Sequence, residues 1–213
     1  MGNPAQRQRR IAAKAARRKA VVAGKKKSPI SSYDVAGGVR LASRGAIARC
    51  VISSVMFEHG IGYVAIAREL PKGMLGCGFF LIDTFFRGVK DVFVREMSQG
   101  DLKDYIDAAD AVSSFVDVAP AYARKLINDA IAYADRLGIS PAKDADLVEG
   151  IFGEIDAADC TETFTFGKYG APLYMAGPND ALADLGAVIR ALEDHLPLDE
   201  SDYMEAESEN AAD

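Results

Sequence analysis

Ten basic side chains crowd the first 27 residues: Arg7, Arg9, Arg10, Lys14, Arg17, Arg18, Lys19, Lys25, Lys26 and Lys27. No acid stands among them. Cations at that density bind polyanions, because each phosphate they neutralise releases a condensed counterion. The expected chemistry is a salt-sensitive, sequence-poor attachment to RNA or to a ribonucleoprotein, with the arm ordering as it binds. No aromatic residue is interleaved with the cations, so base stacking is not the arm's mode. Two blander uses compete: a tail docked on the chain's own carboxylates, and contact with an anionic membrane surface. The net charge of −6 hides this feature. Beyond residue 27, 15 basic residues face 31 acids, a balance of −16, and residues 198–213 hold seven acids and no base. Arm and body are of opposite sign.

A second constellation, Arg68, Asp83, Lys90 and Asp91, lies in the most apolar part of the chain. Asp83 follows Gly78-Phe79-Phe80-Leu81-Ile82, a run that would otherwise exclude a charge. A buried carboxylate needs a partner or a metal to offset its desolvation. As a metal-binding pair, Asp83 and Asp91 would make a divalent-metal nuclease or phosphodiesterase, with Lys90 beside them. Such a site also wants a third acid, for which Glu58, Glu69 and Glu96 are available. The structural alternative makes Asp83 a strand-end residue paired with Arg68 or Lys90, and it is the preferred one.

Other reactive residue types carry less. Gly73-Met74-Leu75-Gly76-Cys77-Gly78 imitates a phosphate-binding loop, but it lacks the Gly-Lys-Ser/Thr ending and precedes a strand. Cys50, Cys77 and Cys160 are widely spaced and read as reduced, structural thiols. Cys77 has no histidine nearby to activate it. His59 and His195 are isolated, His59 in a turn and His195 at a helix end. No metal site and no cofactor is expected.

The elements that must position these groups follow from hydrophobic periodicity. Four strands are predicted at Ile47–Ser53, Tyr63–Leu70, Met74–Phe85 and Val89–Met97, separated by Glu58-His59-Gly60, Pro71-Lys72-Gly73 and Arg87-Gly88. Together they form an antiparallel meander over residues 46–97. Helices dominate 101–153. One is capped by Asp101 and runs from Leu102 to Val112, and one runs from Pro120 to Leu137, stopped by Gly138. In the latter, Leu126, Ala130, Tyr133 and Leu137 make the apolar stripe. A shorter helix is predicted from Pro141 to Phe152, a hairpin over 162–176, and a terminal helix over 179–195. Residues 28–45, rich in serine and glycine, read as a linker with at most a short ordered piece.

Three stretches resemble a family of uncharacterised bacterial proteins. They are ARELPKGMLGCGFFLIDTFFRGVKDVFV (67–94), AYARKLINDAIAYADRLGISP (121–141) and FGKYGAPLYMAGPND (166–180). The resemblance would span residues 45–195. It implies one module with variable, often basic, N-terminal extensions, and it brings no activity and no catalytic residue. The chain departs from the pattern at Phe85-Phe86-Arg87, where a small or thiol residue is expected before Gly-Val-Lys-Asp.

The expectation is therefore a basic disordered arm (1–27), a linker (28–45), a single α+β domain (46–197) and an acidic disordered tail (198–213). No run reaches the roughly 20 apolar residues of a membrane span. The N-terminus lacks an apolar signal region, so a cytoplasmic setting without a membrane anchor is expected. The leading functional expectation is a non-enzymatic binding protein, then the nuclease. A third is an accessory protein-interaction module.

Overall fold

The computed structural model describes residues 35–110, 114–175, 186, 188–190 and 192–193. The basic arm, residues 28–34, most of the expected terminal helix and the acidic tail lie outside them. Five strands form one antiparallel sheet in the order β4-β3-β2-β1-β5: β1 (Ile47–Ser53), β2 (Ile61–Glu69), β3 (Met74–Asp83), β4 (Gly88–Ser98) and β5 (Phe115–Asp117). The α+β class and the meander are those expected. β5 has only three residues, too few for a period-2 pattern to mark it in the sequence.

Helices cover both faces of the sheet: α1 (Val35–Ala42), α2 (a single turn, Met56–His59), α3 (Gln99–Asp110), α4 (Pro120–Arg136) and α5 (Ala145–Glu149). One face sends Ile52, Ile66, Phe80, Ile82 and Val89 against Val39, Leu126, Ile127, Ala130, Val148 and Phe152. The other sends Val51, Ala65, Ala67, Leu75, Cys77 and Phe79 against Leu102 and Ile106 of α3. Each fully buried aliphatic or phenyl side chain contributes about 1.5–3 kcal/mol, so these two clusters hold the layers together. No helix among the described residues is long and apolar enough to cross a membrane.

Several elements differ from the sequence expectation, each for a local reason. Residues 35–42 of the expected linker form α1, with Val39 and Ala42 buried in the core. Their approach depends on Gly76, where an added Cβ would meet the Ala42 Cβ at 2.6 Å. Asp101 is not the cap of α3. Ser98 caps it, and the pair is reciprocal: Asp101 Oδ2 accepts from the Ser98 hydroxyl at 2.8 Å, while Ser98 Oγ accepts from the Asp101 N–H at 3.1 Å. The helix expected from Pro141 shrinks to α5 and a 3₁₀ turn, Gly150–Phe152. Asp144 sits in the left-handed region (φ 66°) and interrupts it. α4 keeps its expected stripe and its stop at Gly138, whose N–H donates to Asp135 C=O at 2.9 Å.

The expected hairpin over 162–176 is not a pair of strands. Among its described residues only Lys168 and Ala171 bridge, around a tight turn with Tyr169 (φ 55°) and Gly170 (φ 86°) at its centre. The flanking backbone bonds elsewhere: Gly167 N–H donates to Thr84 C=O at 2.9 Å and Leu173 N–H to Phe85 C=O at 3.1 Å. Phe164 and Phe166 are drawn off by rings. Phe164 packs on Phe57 and Tyr122, and Phe166 stacks on Tyr133 at 5.2 Å.

Candidate functional site

The turn between β3 and β4 holds two adjacent buried polar residues, Asp83 and Thr84. Asp83, only 5% exposed, ends β3. Its Oδ1 accepts from the backbone N–H groups of Phe85 and Phe86 at 3.0 and 2.9 Å. Those amides, the Arg87 amide and the charge of Lys90 all favour the ionised form, yet burial outweighs them and raises the carboxyl above its ordinary range. Thr84, fully buried, donates its hydroxyl to Met56 C=O at 3.0 Å.

The rest of the turn is held from two sides. Tyr133 of α4 donates its hydroxyl to Phe85 C=O at 2.8 Å, and burial, with Asp83 close by, pushes its pKa up to about 12. Gly88, at φ 62°, lies so close to α4 that a Cβ there would stand 2.4 Å from Ala130 C=O. On the other side Phe86 meets the Tyr174 ring at 5.5 Å, and the Arg87 guanidinium lies 5.4 Å from the same ring. Residues of β3, of α4 and of 167–174 thus converge on this one turn.

Arg68 does not pair with Asp83. The two stand at opposite ends of the β2–β3 pairing, since Ile61 is the cross-strand neighbour of Asp83 and Gly76 that of Arg68. Arg68 is buried and donates instead to the carbonyls of Gly45, at 2.8 Å, and Phe152. Its Nε has no hydrogen-bond partner among the described residues, and burial lowers its pKa. A second arginine, Arg124, does similar work next door. It pairs with Glu149 at 3.1 Å and donates to the carbonyls of Gly153 and Ile155. Between them the two guanidinium groups bond the carbonyls of Phe152, Gly153 and Ile155, in backbone that belongs to no strand.

Asp91 is exposed on β4, and its Oδ1 accepts from the Val92 N–H at 2.9 Å. It stands opposite Leu81, whereas Asp83 stands opposite Gly88, with a bulge between them that contains Lys90. The turn therefore engages Asp83 with amides while Asp91 faces solvent two positions along. Among the described residues no group of three or more His, Cys, Asp and Glu side chains is placed to hold a metal ion. The recess beneath α3, lined by Arg49, Val51, Ala67, Cys77, Leu102 and Ile106, has no room for a water. Cys50 and Cys77 are buried, on opposite faces of the sheet, with thiols pushed up to about 12 by burial. At that value they are protonated and poor nucleophiles.

Two surface features escaped the sequence. Tyr169 is 97% exposed at the tip of its turn, in a left-handed conformation uncommon for a bulky residue, with the Lys168 ammonium 5.9 Å from its ring. Arg40 and Arg44 face solvent at the end of α1. The basic residues Arg7 to Lys27 themselves lie outside the described residues. Comparison with known proteins gives no match: no family model, no curated protein and no solved structure corresponds to this chain.

Proposed function

We propose that this chain is a non-enzymatic binding protein that attaches to RNA or to a ribonucleoprotein through its basic arm. One observation carries the reading. The first 57 residues hold thirteen basic side chains and a single acid, Asp34, while the remaining 156 hold 12 bases and 30 acids. A polyanion meets attraction at the front of the chain and repulsion from the rest. The folded module supports a non-catalytic role in two ways. The Asp83 carboxylate is engaged by the turn it stabilises, and the buried thiols are held protonated. In this reading Arg7, Arg9, Arg10, Lys14, Arg17, Arg18, Lys19, Lys25, Lys26 and Lys27 contact phosphates.

The test is retention of labelled RNA on a filter by the full chain and by a variant lacking residues 1–27. Removing ten cations is expected to abolish retention, and to abolish the steep fall of affinity with salt that ten phosphate contacts impose. The melting temperature should hardly change. RNA recovered intact after incubation with magnesium or manganese separates binding from cleavage. Equal retention by the truncated chain would sink the proposal.

A further inference from the structure

β4 stands at the rim of the sheet. Its inner side pairs with β3, and among the described residues no strand lies along its outer side. At 11 residues it is long for a rim strand, and outward N–H and C=O groups are a template for a further strand. The hydrogen bonds show which groups face out. Val92 N–H donates to the side chain of its own neighbour Asp91 instead of to β3. By the alternation of an antiparallel ladder, Val92 and Val94 turn their backbone outward and Phe93 turns its own toward β3.

We propose that β4 pairs with β4 of a second copy of this chain, antiparallel, about a two-fold axis at Phe93, joining two five-stranded sheets into one. The sequence of the rim carries the argument, because it complements itself in this register. Phe93 falls opposite Phe93 of the second copy, Val92 opposite Val94, and Asp91 opposite Arg95. The pairing stops there, since Lys90 lies in the bulge and Ala142 N–H donates to Val89 C=O at 2.9 Å. Each Val92–Val94 pair is then of the type that exchanges both N–H···O=C bonds, and the Phe93 pair is of the closer type without them. Asp91, Phe93 and Arg95 share one face, and Asp91 and Arg95 are exposed there. When Val94 C=O of the second copy takes the Val92 N–H, the Asp91 carboxylate is released to meet Arg95. The Arg95 guanidinium already lies over the Phe93 ring, 5.3 Å from its centre. The Phe79–Phe93 stack, at 4.7 Å, would continue across the axis. No other axis on this segment gives the same match. Moved to Val92 or Val94 it sets a charge against Phe93, and moved to Asp91 or Arg95 it sets like charges together.

Sedimentation equilibrium of the full chain tests this, with charge exchange as the decisive arm. Wild type is expected to sediment as a dimer in the micromolar range. Asp91→Arg places arginine against arginine at both ends of the rim, and Arg95→Asp places aspartate against aspartate. Each alone is expected to be monomeric at a concentration where wild type is dimeric, with an unchanged far-ultraviolet circular dichroism spectrum. Mixed in equal amounts, the two variants meet only opposite charges and should recover the dimer mass. A wild type that stays monomeric overturns the proposal. So do single variants that dimerise as well as wild type, and a mixture that stays monomeric.

Discussion

Alanine in place of Gly88 is expected to cost about 3 kcal/mol, the larger part from overpacking and the rest from a left-handed backbone. The site leaves the substitution little escape. The new Cβ would stand 2.4 Å from Ala130 C=O and 2.8 Å from the Ala134 Cβ, both on α4. A helix carbonyl and a helix Cβ cannot give way as the far end of a flexible side chain would. The turn would have to lift from α4, taking with it the Tyr133 hydrogen bond to Phe85 C=O and the Gly88 end of the β3–β4 pairing. A urea titration reads the loss directly, as a lower midpoint at unchanged slope. A loss below about 1 kcal/mol would mean that α4 and the turn separate easily, and that the packing here is looser than drawn.

Asp83 gives the second large effect, and its sign depends on the replacement. Alanine leaves the buried amides of Phe85 and Phe86 without an acceptor, which is expected to cost about 3 kcal/mol. Asparagine keeps an oxygen for them and should cost far less. The pH dependence separates charge from geometry. Burial raises the native carboxyl above its ordinary value of 3.8, so between those two values the native state holds a proton that the unfolded chain has released. Stability from this group is then greatest at low pH and declines as pH rises through that window. Asparagine lacks this titration, so its standing relative to wild type should improve with pH across the window and level off above it. The opposite trend in paired denaturation curves would mean that the amides and Lys90 outweigh desolvation.

These two residues also show what the sequence made legible. The need of Asp83 for a partner was visible, because an apolar run does not accept a bare carboxylate. The partner was not, since the donors are backbone N–H groups created by the bend itself and no residue code records them. Arg68 looked like the natural counter-ion, but two carbonyls at the far end of the strand claim it. The meander could be read because its β-branched alternation and its Pro-Lys-Gly and Arg-Gly breaks agree. α4 could be read from Pro120, its stripe and Gly138. α1 could not, as Gly37-Gly38 suppresses any helical signal and only a neighbouring glycine admits Ala42. Residues 162–176 look like a hairpin because turn chemistry is local, while the rings that pull Phe164 and Phe166 onto α4 and α2 are distant in sequence.

The placement of the cysteines has a practical consequence. Cys50 points into the layer beneath α4 and Cys77 into the layer beneath α3, and only Cys160 is partly accessible. An alkylating reagent should therefore modify one thiol promptly and reach the others only when a layer lifts away. The molecule carries its own pair of opening reporters, one for each side of the sheet, whose labelling rates would show whether the two sides come apart together or in turn.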